Sequence, residues 1–198
     1  MKGSKRRTTI LESAAPIFNQ RGYAGTSISE ILDATSLEKG GLYNHFSSKE
    51  ELATAAFDFA WEAVNRYFSE ALAGASPGAP YLHAYVDAFA RYVRRPVVDG
   101  GCPLANAALE ADDALPFLRG RVRKAFESVR SFVRHHVDRA VELGQFRAGI
   151  EVESVADFTI ASLQGALLLS RGARSRGSLE RVAASLHDWL RSLERTAR

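Results

Sequence analysis

Cysteine is almost missing from this chain. Cys102 is the only one among 198 residues, which excludes an intramolecular disulfide framework and a thiolate metal cage, and makes a reducing, cytoplasmic setting the expected one. Long apolar runs are missing too: no uninterrupted stretch of about 18 apolar residues occurs. The opening MKGSKRRTTILES is basic but continues into polar residues, so neither a membrane span nor a secretory leader is expected. Catalytic signatures are equally scarce. The five histidines, His45, His83, His135, His136 and His187, occur without an H-E-x-x-H, a G-x-S-x-G or a phosphate-cradling glycine loop. Adjacent His135 and His136 would project about 100° apart on a helix, poor geometry for a shared metal. No catalytic residue, metal or cofactor is expected. Convincing period-2 strands and repeats of about 20 to 50 residues are absent as well, which leaves an all-α fold that is not a solenoid.

What is present is helical periodicity in a chain that is 46% hydrophobic, enough for a sizeable core. The formal charge of +3 says little alone, but Lys2, Lys5, Arg6 and Arg7 crowd the first seven residues and form a basic arm leading into the first apolar-periodic segment. That segment predicts a helix from about Lys5 to Arg21, with Ile10, Ala14, Ile17 and Phe18 facing inward and Gly22 as its stop. Pro16 predicts a kink or a later start. Ser27 with Glu30 forms a capping box for a short helix ending near Thr35. After the turn TSLEKG a second short helix, KGGLYNHF, carries Leu42, Tyr43 and Phe46, and Ser47 with Glu50 or Ser48 with Glu51 caps the next one. Longer helices follow: one from Leu52 to the break AGASPGAP, one stopped by Pro96, one opened by Pro103 and running to about Ala111. The longest pattern, Leu115 to Val141, stops at Gly144, and two more helices follow at 151–170 and around Leu179 to Leu193. The expected total is about nine helices.

Two short helices joined by a tight turn, behind a longer one, describe a helix-turn-helix, whose second helix enters a DNA major groove while flanking groups grip phosphates. Gly40 and Gly41 are poor helix formers, so something other than helix stability favours them, and bare backbone can approach DNA closely. Tyr43 and His45 supply hydrogen-bonding groups, and Lys49 stands in the first turn of the next helix.

Over residues 8 to 52 the chain resembles the DNA-binding domain of the TetR family of bacterial transcriptional regulators. The match is carried by Ala14, Phe18, Gly22, Tyr23, Thr26, Ile28, Ile31, Ala34, Gly40, Leu42, Tyr43, His45, Phe46, Lys49 and Leu52. The resemblance implies phosphate contacts from Thr26, Tyr43, His45 and Lys49, with Ser27 beside them, and places Lys39 and the backbone of Gly40 and Gly41 toward the groove. Departures stand at Ser36 for the usual turn glycine, Glu38 for the usual serine cap and Gly41 for the usual threonine. Glu38 suits the helix dipole but repels phosphate.

The implied domains are a DNA-binding domain over 1–52 and an effector-binding and dimerisation domain over 53–198. The implied function is a one-component regulator, expected to be a repressor, that binds a palindromic double-stranded operator as a homodimer through its last two helices and is released by a small-molecule or electrophile effector. The small residues Ala161, Gly165 and Ala166 suit such an interface and ordinary intrachain packing alike. GGCPLANAALE resembles a stretch in one group of these regulators, some of which sense electrophiles through a cysteine, so Cys102 is either a sensor or a plain core residue. Trp61, Tyr85 and Phe89 as walls, with Asn65, Asn106 and Glu110 as polar anchors, form the alternative reversible pocket. The competing function is a helical protein-interaction module that keeps a helix-turn-helix without using it on DNA.

Overall fold

A computed structural model describes residues 2–111 and 115–195, with side chains from residue 5 onward. Among the described residues it contains nine helices: α1 Lys2–Arg21, α2 Ile28–Thr35, α3 Lys39–Tyr43, α4 Lys49–Leu72, α5 Ala79–Arg94, α6 Pro103–Ala111, α7 Pro116–Glu142, α8 Val152–Gly172 and α9 Gly177–Leu193. The side chain of Lys2 in the basic arm lies outside the described residues. Packing groups the chain into two compact units, residues 1–67 with 96–124, and 68–95 with 125–198, so the dividing lines fall within α4, just after α5 and within α7. The segment around α6 thus packs with the first helices, although it lies far from them in sequence.

In the first unit, α1 contributes Ile10, Leu11, Ala14 and Ala15 to a core shared with Ile31, Leu42, Phe46, Leu52, Ala56, Ala60 and Val98. Pro16 does not delay the start of α1, which is a single helix through that position. Loss of a backbone donor there costs about 3 kcal/mol, and the burial of its neighbours offsets it. Ser27 caps α2 as the sequence requires: its hydroxyl accepts from the Glu30 amide, and the Glu30 carboxylate accepts from the Ser27 amide at 2.8 Å. Ser36 ends α2 in the left-handed region at φ 51°. Ser48 caps α4 by accepting from the Glu51 amide, while the Glu51 carboxylate reaches past it to the amide and hydroxyl of Ser47. Those two hydrogen bonds, with a smaller contribution from Arg7, hold the Glu51 carboxyl below the usual carboxylate range.

In the second unit, α9 packs on α8 and α5, burying Leu179, Leu186 and Leu190 with Leu163, Leu167 and Val86. Phe68 stacks among Tyr85, Phe89 and Tyr92, with ring centroids 5.4 to 6.3 Å away. A hydrogen-bonded chain joins α5 to α9: Asp87 to His187, His187 to His83 at 2.7 Å, and His83 to Glu194. The α7–α8 loop is fastened by paired backbone bonds, Arg147 amide to Leu193 carbonyl and Arg195 amide to Gln145 carbonyl. Among the described helices α8 alone is long and apolar enough, by length and composition, to cross a bilayer, despite Glu153 and Asp157 interrupting its apolar run. Only one of its faces is covered, the one carrying Val155, Ala156, Leu163 and Leu167.

Candidate nucleic-acid interface

The α2–α3 corner sets the candidate interface. Leu37 donates its amide to Leu32, closing the turn, and Leu42 is buried at 1% exposure, which pins α3 to the core by one side chain. The helix is shorter than the sequence implies: it ends at Tyr43, and His45 and Phe46 lie in the following turn, both amides bonding back to the Leu42 carbonyl. Two glycines in five residues leave little intrinsic helix preference to carry it further. Glu38 precedes α3 without a side-chain cap.

The outer face of α3 carries Lys39, Gly40 and Tyr43. Tyr43 is 40% exposed, and the Lys39 ammonium stands 6.0 Å from its ring centroid. A Cβ on Gly40 would meet nothing within 4 Å, so the fold's own packing does not demand glycine there. His45 is half-buried beside this face, and Ser27 is exposed at the start of α2. The Arg7 guanidinium lies over the Phe46 ring at 4.7 Å, which fixes the end of the basic arm against the same corner, while Lys5 and Arg6 are exposed.

Two residues assigned to phosphate are occupied otherwise. Thr26 is 1% exposed and its hydroxyl donates to the Gly22 carbonyl at 2.7 Å, so its side chain closes the α1–α2 turn and offers no surface to a backbone phosphate. The Lys49 ammonium donates to the Tyr23 carbonyl at 2.7 Å and lies 4.1 Å from the Tyr23 ring centroid. It ties the start of α4 to the end of α1, and a phosphate would have to share it.

The seven candidate effector residues are divided between the two units. Tyr85 and Phe89 are buried in the second unit, whereas Trp61 is half-buried and Asn65 exposed on the α4 segment of the first. Asn106 and Glu110 hold α6 to the end of α1. The Asn106 amide group donates to the carbonyl and side-chain oxygens of Asn19 at 2.8 Å and to the Gly100 carbonyl at 2.9 Å, and the Glu110 carboxylate accepts from the Tyr23 amide at 2.8 Å. Asn19 completes this lock by donating to the carbonyls of Asp99 and Gly101. Sequence reasoning missed Asn19. Its signal was a polar residue on the inward stripe of an amphipathic helix, and it is 8% exposed. Cys102 is 3% exposed just before α6, which fits a core residue and keeps reagents from its sulfur in this conformation.

A basic arm, a two-helix corner with an exposed second helix and a separate helical unit define a helix-turn-helix transcriptional regulator. A family model described as bacterial regulatory proteins, tetR family, matches residues 10–56, and one described as the tetracyclin repressor-like C-terminal domain matches residues 78–186. The HTH-type transcriptional repressor DhaR of Mycobacterium sp. (strain GP1) is 30% identical over 176 residues, 88% of this chain and 86% of that protein. The crystal structure of a TetR transcriptional regulator from Chloroflexus aurantiacus J-10-FL superposes with a TM-score of 0.94 at 40% identity, covering 99% of both chains. The same fold is seen in a cysteine mutant of the TetR family regulator CifR complexed with 26-bp double-strand operator DNA, with a TM-score of 0.78 at 24% identity over 94% of this chain and 95% of that one. The chain belongs to the TetR family of bacterial transcriptional regulators. It is a regulator and not an enzyme.

Proposed function

We propose that this protein is a cytoplasmic, dimeric repressor that binds a palindromic operator through α3 and is released by a small-molecule effector, with DNA binding carried by residues 1–52 and effector binding and dimerisation by 53–198. The observation that carries the reading is the exposed Lys39–Gly40–Tyr43 face on a helix anchored from behind by Leu42. Two such helices, about one DNA turn apart or a multiple of it, read the two halves of a palindrome, which requires a twofold dimer. The uncovered face of α8 supports that dimer: Phe158, Leu168 and Leu169 are 49%, 45% and 58% exposed, and the Trp189 ring of α9 stands 4.5 Å from that of Phe158. A small-residue position, Gly165, lies among them with open space at its Cα.

Fluorescence anisotropy against labelled DNA from upstream of the protein's own gene tests the reading. Binding should be tight and should fall steeply with salt as condensed counterions are released. Tyr43→Ala should weaken binding to operator and to nonspecific DNA alike, by about fivefold per recognition helix, as loss of one phosphate hydrogen bond predicts. An unchanged affinity would remove Tyr43 from the interface, and salt-independent or absent binding to every DNA tried would favour the protein-interaction module.

A further inference from the structure

The lock between α1 and α6 borders a pocket that lies wholly within the first unit. Its walls are mostly apolar, formed by Phe18, Ala56, Phe57, Ala60 and Leu118, and one end is polar, where Asn106 and Glu110 meet Asn19 and Tyr23. Measured as room for the centre of a water-sized sphere it holds about 50 Å³. A dry cavity of roughly 150 Å³ is known to accept benzene. Anything of that size must therefore widen this pocket, and the hydrogen bonds between α1 and α6 are the polar part of its wall that a ligand can compete for.

We propose that this pocket is the effector site in its closed form, and that it takes a small, largely apolar molecule carrying a hydrogen-bond donor, an amine or a hydroxyl, at the end nearest Glu110. The proposal rests on the reading of the chain as an effector-released regulator. Glu110 sets the chemistry. Among the described residues its carboxylate is the one ionisable acid or base lining the pocket apart from the Tyr23 phenol, so a carboxylate or phosphate ligand is repelled and a donor is accepted. The same carboxylate holds the Tyr23 amide, and Gly22 leaves it room, since a Cβ there would fall on the carboxylate oxygens. A ligand donor that takes over Glu110 frees the Tyr23 amide and loosens the α1–α2 turn, where Thr26 and Lys49 are also fastened. The ligand thus favours an open lock, and that difference in affinity between two states is what a release mechanism requires.

Amide correlation spectra of the full-length protein titrated with benzylamine, benzyl alcohol and benzoate test this, with operator affinity measured in parallel. Benzylamine and benzyl alcohol should shift the Tyr23 amide and the Asn106 side-chain amide saturably and should lower operator affinity. Benzylamine binding should weaken about tenfold or more in Glu110→Gln, the usual loss when a charge-assisted hydrogen bond becomes neutral. Ala107→Leu, which fills the pocket wall, should abolish the shifts. Shifts that map away from this pocket, equal binding of benzoate, or no saturable shift with either donor probe each overturn the proposal. Operator binding without any probe stands apart from these outcomes, so loss of the regulator reading and loss of the pocket are separately visible.

Discussion

Gly100→Ala is expected to lower the stability of the protein by about 3 kcal/mol, enough to cut its thermal midpoint by roughly 10 °C. Two independent causes act at this residue. Its φ is +101°, a conformation that L side chains rarely adopt, and a Cβ would come within 2.7 Å of the carbonyl carbon and oxygen of Asn19 and 2.9 Å of the Gln20 nitrogen. Those are backbone atoms of α1, so relief requires moving the loop or the helix. Either movement breaks the Asn106 bonds to the Gly100 and Asn19 carbonyls. By contrast, Gly22→Ala is expected to be milder despite its own positive φ, because the obstructing group there is the end of the flexible Glu110 side chain. Thermal unfolding of both variants checks the order, and a Gly100→Ala protein as stable as the wild type would show that the lock is not formed in solution.

The contrast between those glycines also separates what was legible in the sequence from what was not. Much that is local could be read: the Ser27–Glu30 box, the break before Ala79, Pro103 at the first turn of α6 and the stop at Gly144 all depend on neighbours within a few residues. Helix number and order followed from periodicity. The length of α3 did not, because its apolar pattern continues to Phe46 while its two glycines end the helix at Tyr43. The later start that Pro16 allowed did not occur, since burial on both sides outweighs a lost donor. The lock of Asn19, Tyr23, Asn106 and Glu110 joins residues 87 positions apart, and no local pattern records such a pairing. The bond from Lys49 to Tyr23, 26 positions away, was hidden for the same reason, whereas Thr26 bonds Gly22 only four positions away and was read as a surface group from its place in a motif. The effector residues were chosen for chemical type, and type does not say which of two packing units a helix joins.

A pH-dependent loss of stability centred on His136 is the second large effect expected. This residue of α7 is 9% exposed, with its ring parallel to that of Tyr81 at 3.7 Å, edge-on to Phe132 at 5.1 Å, and beside His135. Its buried Nδ1 meets no hydrogen-bond partner among the described residues. Burial, with the neighbouring His135 adding repulsion, pushes its pKa down to about 4. The folded protein therefore resists a proton that the unfolded chain takes up near pH 6.5. Above that pH both states hold neutral imidazole and the residue contributes no pH dependence. As pH falls from 6.5 toward 4 the unfolded state binds more protons, so stability declines, by about 3 kcal/mol in all. Comparison with a variant isolates the contribution of this residue. His136→Phe keeps an aromatic ring against Tyr81 and removes both the titration and the unpaired nitrogen. In urea unfolding it should match or exceed the wild type at pH 7, by about 1 kcal/mol if the nitrogen is dry. Its advantage should widen by a further 2 kcal/mol or so at pH 4.5. A gap that stays constant with pH would mean that His136 accepts its proton in the folded state, with Tyr81 and Phe132 moving apart to let water reach it.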